Sequence, residues 1–128
     1  MRILLDTHIF IWWDSEPSLL PPEARILCED TANTLVVSVA SIWEMQIKQQ
    51  LGKLKFRVPV DKLVADQQNE NGIEIMPVAL AHVLALDNLP LHHKDPFDRL
   101  LIAQSNAEDI PLLTVDAVLR QYDVNLLI

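Results

Sequence analysis

Short apolar runs alternate with helix-patterned segments along the whole chain, and this alternation restricts the fold more than any other feature. Arg2–Leu5, residues 35–38, Glu74–Met76, residues 111–114 and residues 124–128 read as strands. Residues 22–31 open a helix with Pro22 at its first position, where a missing N–H costs nothing. Residues 39–51 carry apolar side chains at 39, 42, 43, 47 and 51, a helical spacing that stops at Gly52. Val60–Asn71 ends before Gly72, residues 80–86 form a shorter helix, and residues 97–108 lie between Pro96 and Pro111. Strand–helix–strand repeats predict an α/β fold: a central parallel sheet of four to five strands with helices on both faces. The unbroken apolar runs Ile3–Leu5 and Leu35–Val37 suit strands buried on both sides. With no repeat and no Gly/Ser linker, the 128 residues read as one domain, 1–128.

Composition excludes several functions. Eighteen acids against ten Lys and Arg give −8, so binding of nucleic acid by overall charge is not expected. Two glycines, Gly52 and Gly72, cannot build a phosphate-cradling loop. Lone Cys28 forms no intrachain disulfide or multi-cysteine zinc site and suits a reducing compartment. Asp6 falls where a secretory signal needs its apolar run, and no apolar stretch approaches the length of a membrane span. A cytoplasmic protein without membrane contact is expected.

In open parallel sheets, ligands bind beyond the carboxyl ends of the strands, and four acids fall there. Asp6 follows the first strand, and Asp116 lies two residues past Thr114. Glu44 sits in the second turn of the helix leaving Ser38, and Asp98 in the first turn of the helix at Pro96. Two carboxylates about 5 Å apart repel by roughly 3 kcal/mol at an effective dielectric near 20. Such a cluster calls for protons or hard divalent cations. All-oxygen ligands favour Mg²⁺ or Mn²⁺ over zinc and suit hydrolysis of a phosphodiester by a metal-activated water. Each acid also has a structural reading. Asp6 ends a strand, Glu44 pairs with Lys48 four residues on, Asp95 and Asp98 sit in a capping arrangement, and Asp116 caps a short helix running to Tyr122.

At these positions the sequence resembles the PIN-domain ribonucleases, in particular the VapC-like toxins of toxin–antitoxin pairs. The resemblance lies in Leu4-Leu5-Asp6-Thr7-His8-Ile9-Phe10-Ile11-Trp12, in Ser41-Ile42-Trp43-Glu44-Met45-Gln46-Ile47-Lys48 running on to Leu51-Gly52-Lys53-Leu54, in residues 92–104 around Asp95-Pro96-Phe97-Asp98, and in Leu113-Thr114-Val115-Asp116. It implies that Asp6, Glu44, Asp98 and Asp116 are both catalytic and metal-binding acids, with Thr114 supporting them; Asp95, read above as a cap, is expected to support the site from beside Asp98. It further implies a Mg²⁺-dependent endoribonuclease (Mn²⁺ being the alternative ion), homodimers, and inhibition by a cognate antitoxin.

Residues 45–60 hold Lys48, Lys53, Lys55 and Arg57 and no acid, the one basic island in an acidic chain. They are candidate contacts for RNA phosphate or a partner, or else a solvated face. Phe10-Ile11-Trp12-Trp13 is too apolar for a solvated helix and reads as core, the alternative being a subunit or antitoxin surface. His92 and His93 suit loop positioning better than metal ligation, Arg99 is expected to pair with a neighbouring acid, and His8 to support the site or pack beneath the sheet. Two other functions fit the α/β plan. A phosphoacceptor receiver domain wants paired acids after the first strand and a lysine after the last, and this chain has neither. A non-catalytic RNA- or protein-binding module keeps the fold without the chemistry.

Overall fold

A computed structural model describes residues 1–127. The five strands β1 (Arg2–Leu5), β2 (Thr34–Ser38), β3 (Glu74–Met76), β4 (Leu112–Leu113) and β5 (Leu126–Leu127) form one sheet in the order β3-β2-β1-β4-β5, with every pair parallel. Residue 128 of the expected last strand lies outside the described residues. The helices are α1 (Thr7–Ser15), α2 (Pro22–Glu29), α3 (Val39–Gln50), α4 (Val60–Asn71), α5 (Leu80–Leu84) and α6 (Pro96–Glu108), with single 3₁₀ turns at Pro17–Leu19, Ala85–Asn88 and Ala117–Gln121.

Pleating divides the apolar residues into two cores. Ile3, Leu5, Leu35, Val37 and Leu113 point to one face, where Ile9 and Phe10 of α1, Ala24 of α2, Met45 of α3 and Leu63 of α4 cover them. Leu4, Val36, Met76 and Leu112 point to the other, against Leu101 and Ile102 of α6, Leu119 and Tyr122. The expected two-faced architecture is therefore present, with five strands. Boundaries shift modestly: α2 stops at Glu29 rather than at 31, and the predicted helix 80–86 splits into α5 and a 3₁₀ turn.

The sequence pattern does not predict α1. Its residues include no starting proline or stopping glycine, and its apolar side chains surround the axis instead of forming a stripe. Ile9 and Phe10 are fully buried, and Ile11, Trp12 and Trp13 pack half-buried beside them. The core reading of 10–13 therefore holds, in a helix started by Asp6, whose Oδ1 accepts from the His8 N–H at 2.7 Å.

Strand order fixes where a site can form. From β1 the chain moves to β2 and β3 on one side, then returns to add β4 and β5 on the other. The crevice of such a sheet lies between the carboxyl ends of β1 and β4. Asp6 leaves the first of these strands and Thr114 the second.

Candidate metal centre

Four helical starts, each begun by a polar side chain, bear on this crevice, and three of the capping residues, Asp6, Asp95 and Asp116, line it. Asp6 caps α1; Ser38 caps α3, accepting from the Ala40 N–H at 3.0 Å; Asp95 caps α6, accepting from the Phe97 and Asp98 N–H groups at 2.8 and 3.3 Å; Asp116 caps the 3₁₀ turn, accepting from the Val118 N–H at 3.0 Å. Capping thus explains Asp6, Asp95 and Asp116 locally, yet all three still line the cleft. α1 and α6 begin at cleft residues, so their positive ends partly offset the gathered negative charge.

The cleft has a volume of about 270 Å³ and is lined by Asp6, His8, Trp12, Glu44, Lys48, His93, Asp95, Asp98, Val115 and Asp116. All four acids that the sequence points to therefore meet, drawn from four distant segments. Larger hollows exist, of about 290 Å³ beside Trp13 and Cys28 and about 550 Å³ beside Leu89 and Ala103. Neither is fed by the carboxyl ends of β1 and β4, and we place the chemistry in the smaller cleft because ionisable groups converge there.

Asp6 and Glu44 are nearly sealed from solvent, at 5% and 3% exposure. Thr114 donates from Oγ1 to Asp6 Oδ2 at 2.6 Å and accepts from the Asp116 N–H at 3.1 Å, so one hydroxyl sets two of the acids. Lys48 donates from Nζ to Glu44 Oε2 at 2.7 Å, while Glu44 Oε1 is buried without a hydrogen-bond partner. The expected helical pair is made, but it is not a solvated one. Beneath it, Thr7 Oγ1 donates to Ser41 Oγ at 2.9 Å, joining α1 to α3; sequence spacing holds no sign of this bond.

Crowding appears in the protonation of the acids. Burial raises the Asp6 carboxyl above its ordinary value against the lowering pull of Thr114 and the His8 N–H. Asp98 is pushed up to about 7, first by burial and then by the Asp6, Asp95 and Glu44 carboxylates, with His93 opposing. Lys48 is held above the ordinary lysine value: burial works against its charge, and the hydrogen bond to Glu44 with the carboxylates of Glu44, Asp95 and Asp98 outweighs it.

His93 does more than position a loop. Its Nε2 lies 2.9 Å from Asp98 Oδ2 and 3.2 Å from Asp116 Oδ2, joining the two acids. These three residues are near enough to share an ion. The imidazole is nevertheless set as a donor: Nδ1 accepts from the Asp95 N–H at 3.3 Å, which leaves the proton of the neutral ring on Nε2. Donation to the carboxylates agrees with the expectation that the ligands here are oxygens. The backbone N–H of His93 is tied to the Tyr122 hydroxyl at 2.8 Å.

Other expectations change. Arg99 does not pair with an acid among the described residues; it donates to the carbonyls of Pro90, Leu86 and Leu89 and to the Tyr122 hydroxyl, fastening the loop before α6. His8 is exposed at the cleft, edge-on to Trp12, and not beneath the sheet. Arg57 leaves the basic island: its guanidinium binds Asp14 at 2.9 Å and Asp66 at 3.3 Å. Lys53 and Lys55 remain exposed, on a chain turned back at Gly52 (φ 72°) so that the Lys53 N–H reaches the Lys48 carbonyl.

Can these residues hold a metal ion? The donors are hard oxygens, one buried oxygen of Glu44 lacks a partner, and the gathered carboxylates hold a proton on Asp98 to near neutrality. Such a set fits a hard divalent ion, whose charge would take the place of that proton.

A family profile described as the PIN domain matches residues 3–125. The chain belongs to the PIN domain family. Among curated relatives, Ribonuclease VapC22 of Mycobacterium tuberculosis (strain ATCC 25618 / H37Rv) is 29% identical over 122 residues, covering 94% of this chain and 91% of that protein. Among solved structures, VapBC2 from Rickettsia felis bound to a DNA fragment from its promoter aligns with a TM-score of 0.72 at 17% identity, over 99% of this chain and 98% of that one. FitAcB from Neisseria gonorrhoeae aligns with a TM-score of 0.60 at 16% identity, over 98% and 96%. At these identities the structures establish this PIN domain's fold. Among the described residues no helix is long and apolar enough to cross a membrane.

Proposed function

We propose that this PIN domain is a metal-dependent endoribonuclease and the toxin of a toxin–antitoxin pair. The observation that carries the reading is the convergence of Asp6, Glu44, Asp98 and Asp116 in one cleft at the switch point of the sheet. The relative named as a ribonuclease, which matches over nearly the whole chain, supports it.

Asp6, Asp98 and Asp116 would hold the ion, Mg²⁺ or Mn²⁺, with the free oxygen of Glu44 completing the set. Such an ion supplies Lewis-acid activation of water and neutralises charge on the scissile phosphate. The chain's own residues do the rest. Thr114 fixes Asp6 against rotation, and His93 holds Asp98 and Asp116 at a constant separation. Asp95 starts α6 and so places Asp98. Exposed Lys53 and Lys55 give RNA phosphates a foothold that an acidic chain otherwise lacks. Exposed Trp43, Leu80, Leu84 and Leu91 offer apolar surface to a second copy or to an antitoxin, a partner type supported by the toxin–antitoxin complexes among the structural neighbours.

Incubation with structured RNA tests the reading. Cleavage is expected with Mg²⁺ or Mn²⁺ and is lost with EDTA and in Asp6→Asn and Asp98→Asn. The fragments should end in 5′-phosphate and 3′-hydroxyl, because attack by water needs no ribose 2′-hydroxyl as nucleophile. Cleavage surviving chelation and both substitutions refutes the reading, as do 2′,3′-cyclic phosphate ends. RNA binding without cleavage of any RNA selects the non-catalytic module instead.

A further inference from the structure

We propose that Lys48 limits this centre to a single divalent ion by occupying one oxygen of Glu44; the inference rests on the metal-dependent reading above. Glu44 is buried on α3, and its two oxygens have different fates. Oε2 accepts from Lys48 Nζ at 2.7 Å, whereas Oε1 is buried with no partner. A carboxylate that chelates one ion, or bridges two with one oxygen on each, uses both oxygens. With Oε2 held by an ammonium, Glu44 has one oxygen left to offer.

Geometry separates this pair from an ordinary surface ion pair. The Lys48 side chain is 30% exposed, while that of Glu44 is 4% exposed. Lys48 lines the cleft together with Asp6, Asp95, Asp98 and Asp116, so its ammonium stands on the site side of the helix. A second divalent ion seated on Glu44 would have to displace this ammonium or lie against it. Charge balance points the same way. The five acids of the cleft, Asp6, Glu44, Asp95, Asp98 and Asp116, bring five negative charges; Lys48 and one divalent ion bring three positive ones, and a second ion would leave no net negative charge to hold it. Lys48 is then the fixed, built-in counterpart of a second metal, a monovalent charge that cannot dissociate.

Counting bound Mn²⁺ tests this on the full chain without reference to activity. Free Mn²⁺ is read by electron paramagnetic resonance as the ion is titrated to millimolar concentration. Wild type should take up about one ion per chain, Lys48→Met about two, and Lys48→Arg about one again. Adding Glu44→Gln to Lys48→Met should return the count to about one. Circular dichroism checks that each variant is folded, with Lys48→Gln as a second neutral substitution. Two ions of similar affinity in wild type overturn the proposal, as does a count of one in folded Lys48→Met and Lys48→Gln. No binding in wild type removes the metal-dependent reading itself, a result distinct from two equal sites.

Discussion

Replacing Asp98 by Asn should stabilise the metal-free protein while destroying its response to metal. Asp98 lies among Asp6, Glu44 and Asp95, and its carboxyl is pushed up to about 7 from the 3.8 of an unperturbed group. The neutral form is therefore the one the fold favours. At about 1.36 kcal/mol per pH unit, a rise of this size corresponds to about 4 kcal/mol lost when the group ionises. Its side chain keeps 16% exposure, and solvent screening reduces the figure to about 2 kcal/mol. The sign follows from linkage. A carboxyl raised in the folded state binds its proton more tightly there. The favourable contribution is complete below the unfolded value near 4 and is lost as pH rises through about 7. The amide introduced by Asp98→Asn mimics the protonated acid at every pH and can still accept from His93. In EDTA at pH 8, Asp98→Asn should unfold roughly 8 °C higher than wild type, taking about 4 °C per kcal/mol for a domain of this size. The difference should shrink steadily towards pH 5. With Mn²⁺ the order reverses, because only wild type is stabilised by the ion. Thermal unfolding followed by circular dichroism at pH 5, 6, 7 and 8, with and without metal, measures all of this. A variant less stable than wild type at pH 8 in EDTA, or a difference independent of pH, refutes the electrostatic reasoning.

Thr114→Val removes the hydroxyl that serves both Asp6 and Asp116; Mn²⁺ affinity should fall about 10- to 100-fold by calorimetry, with the fold retained. Buried His82 accepts from the Ala79 N–H, is reached by Gln104, and binds Glu108 at 2.8 Å. His82→Phe should cost about 1–3 kcal/mol in urea unfolding and leave metal binding unchanged. Lys53→Ser with Lys55→Ser should weaken RNA binding and flatten its salt dependence in filter assays, whereas Arg57→Ser, which breaks the contacts to Asp14 and Asp66, should lower the melting temperature instead.

How far these features are legible in the sequence depends on the range of the interaction that makes them. Val60–Asn71 is bounded by Gly72, which adopts the left-handed conformation (φ 64°) that glycine takes at little cost, and such local signals place an element closely. The four acids are legible because strand ends are, and in a parallel sheet strand ends face the same crevice. α1 is not, since its apolar residues form no stripe and its burial depends on neighbours far along the chain. Arg57 shows the opposite error: adjacency to three lysines suggests a shared role, but its partner Asp14 lies on α1, 43 residues away. Sequence places His93 only as a loop residue, because nothing in its spacing reveals that the loop folds back over Asp98 and Asp116.

The bond between Thr114 and Asp6 joins positions 108 apart, and β1 gains its second neighbour only when β4 arrives. The centre is thus assembled from the first and the fourth of the five described strands in chain order. Until the segment that carries Thr114 has been made, Asp6 has neither its hydroxyl partner nor the strand that closes the crevice, so a chain lacking that segment has no assembled centre. Contacts of such long sequence separation form late and slowly in folding. For the ribonuclease proposed above, the late arrival of β4 delays cleavage until the whole sheet is assembled.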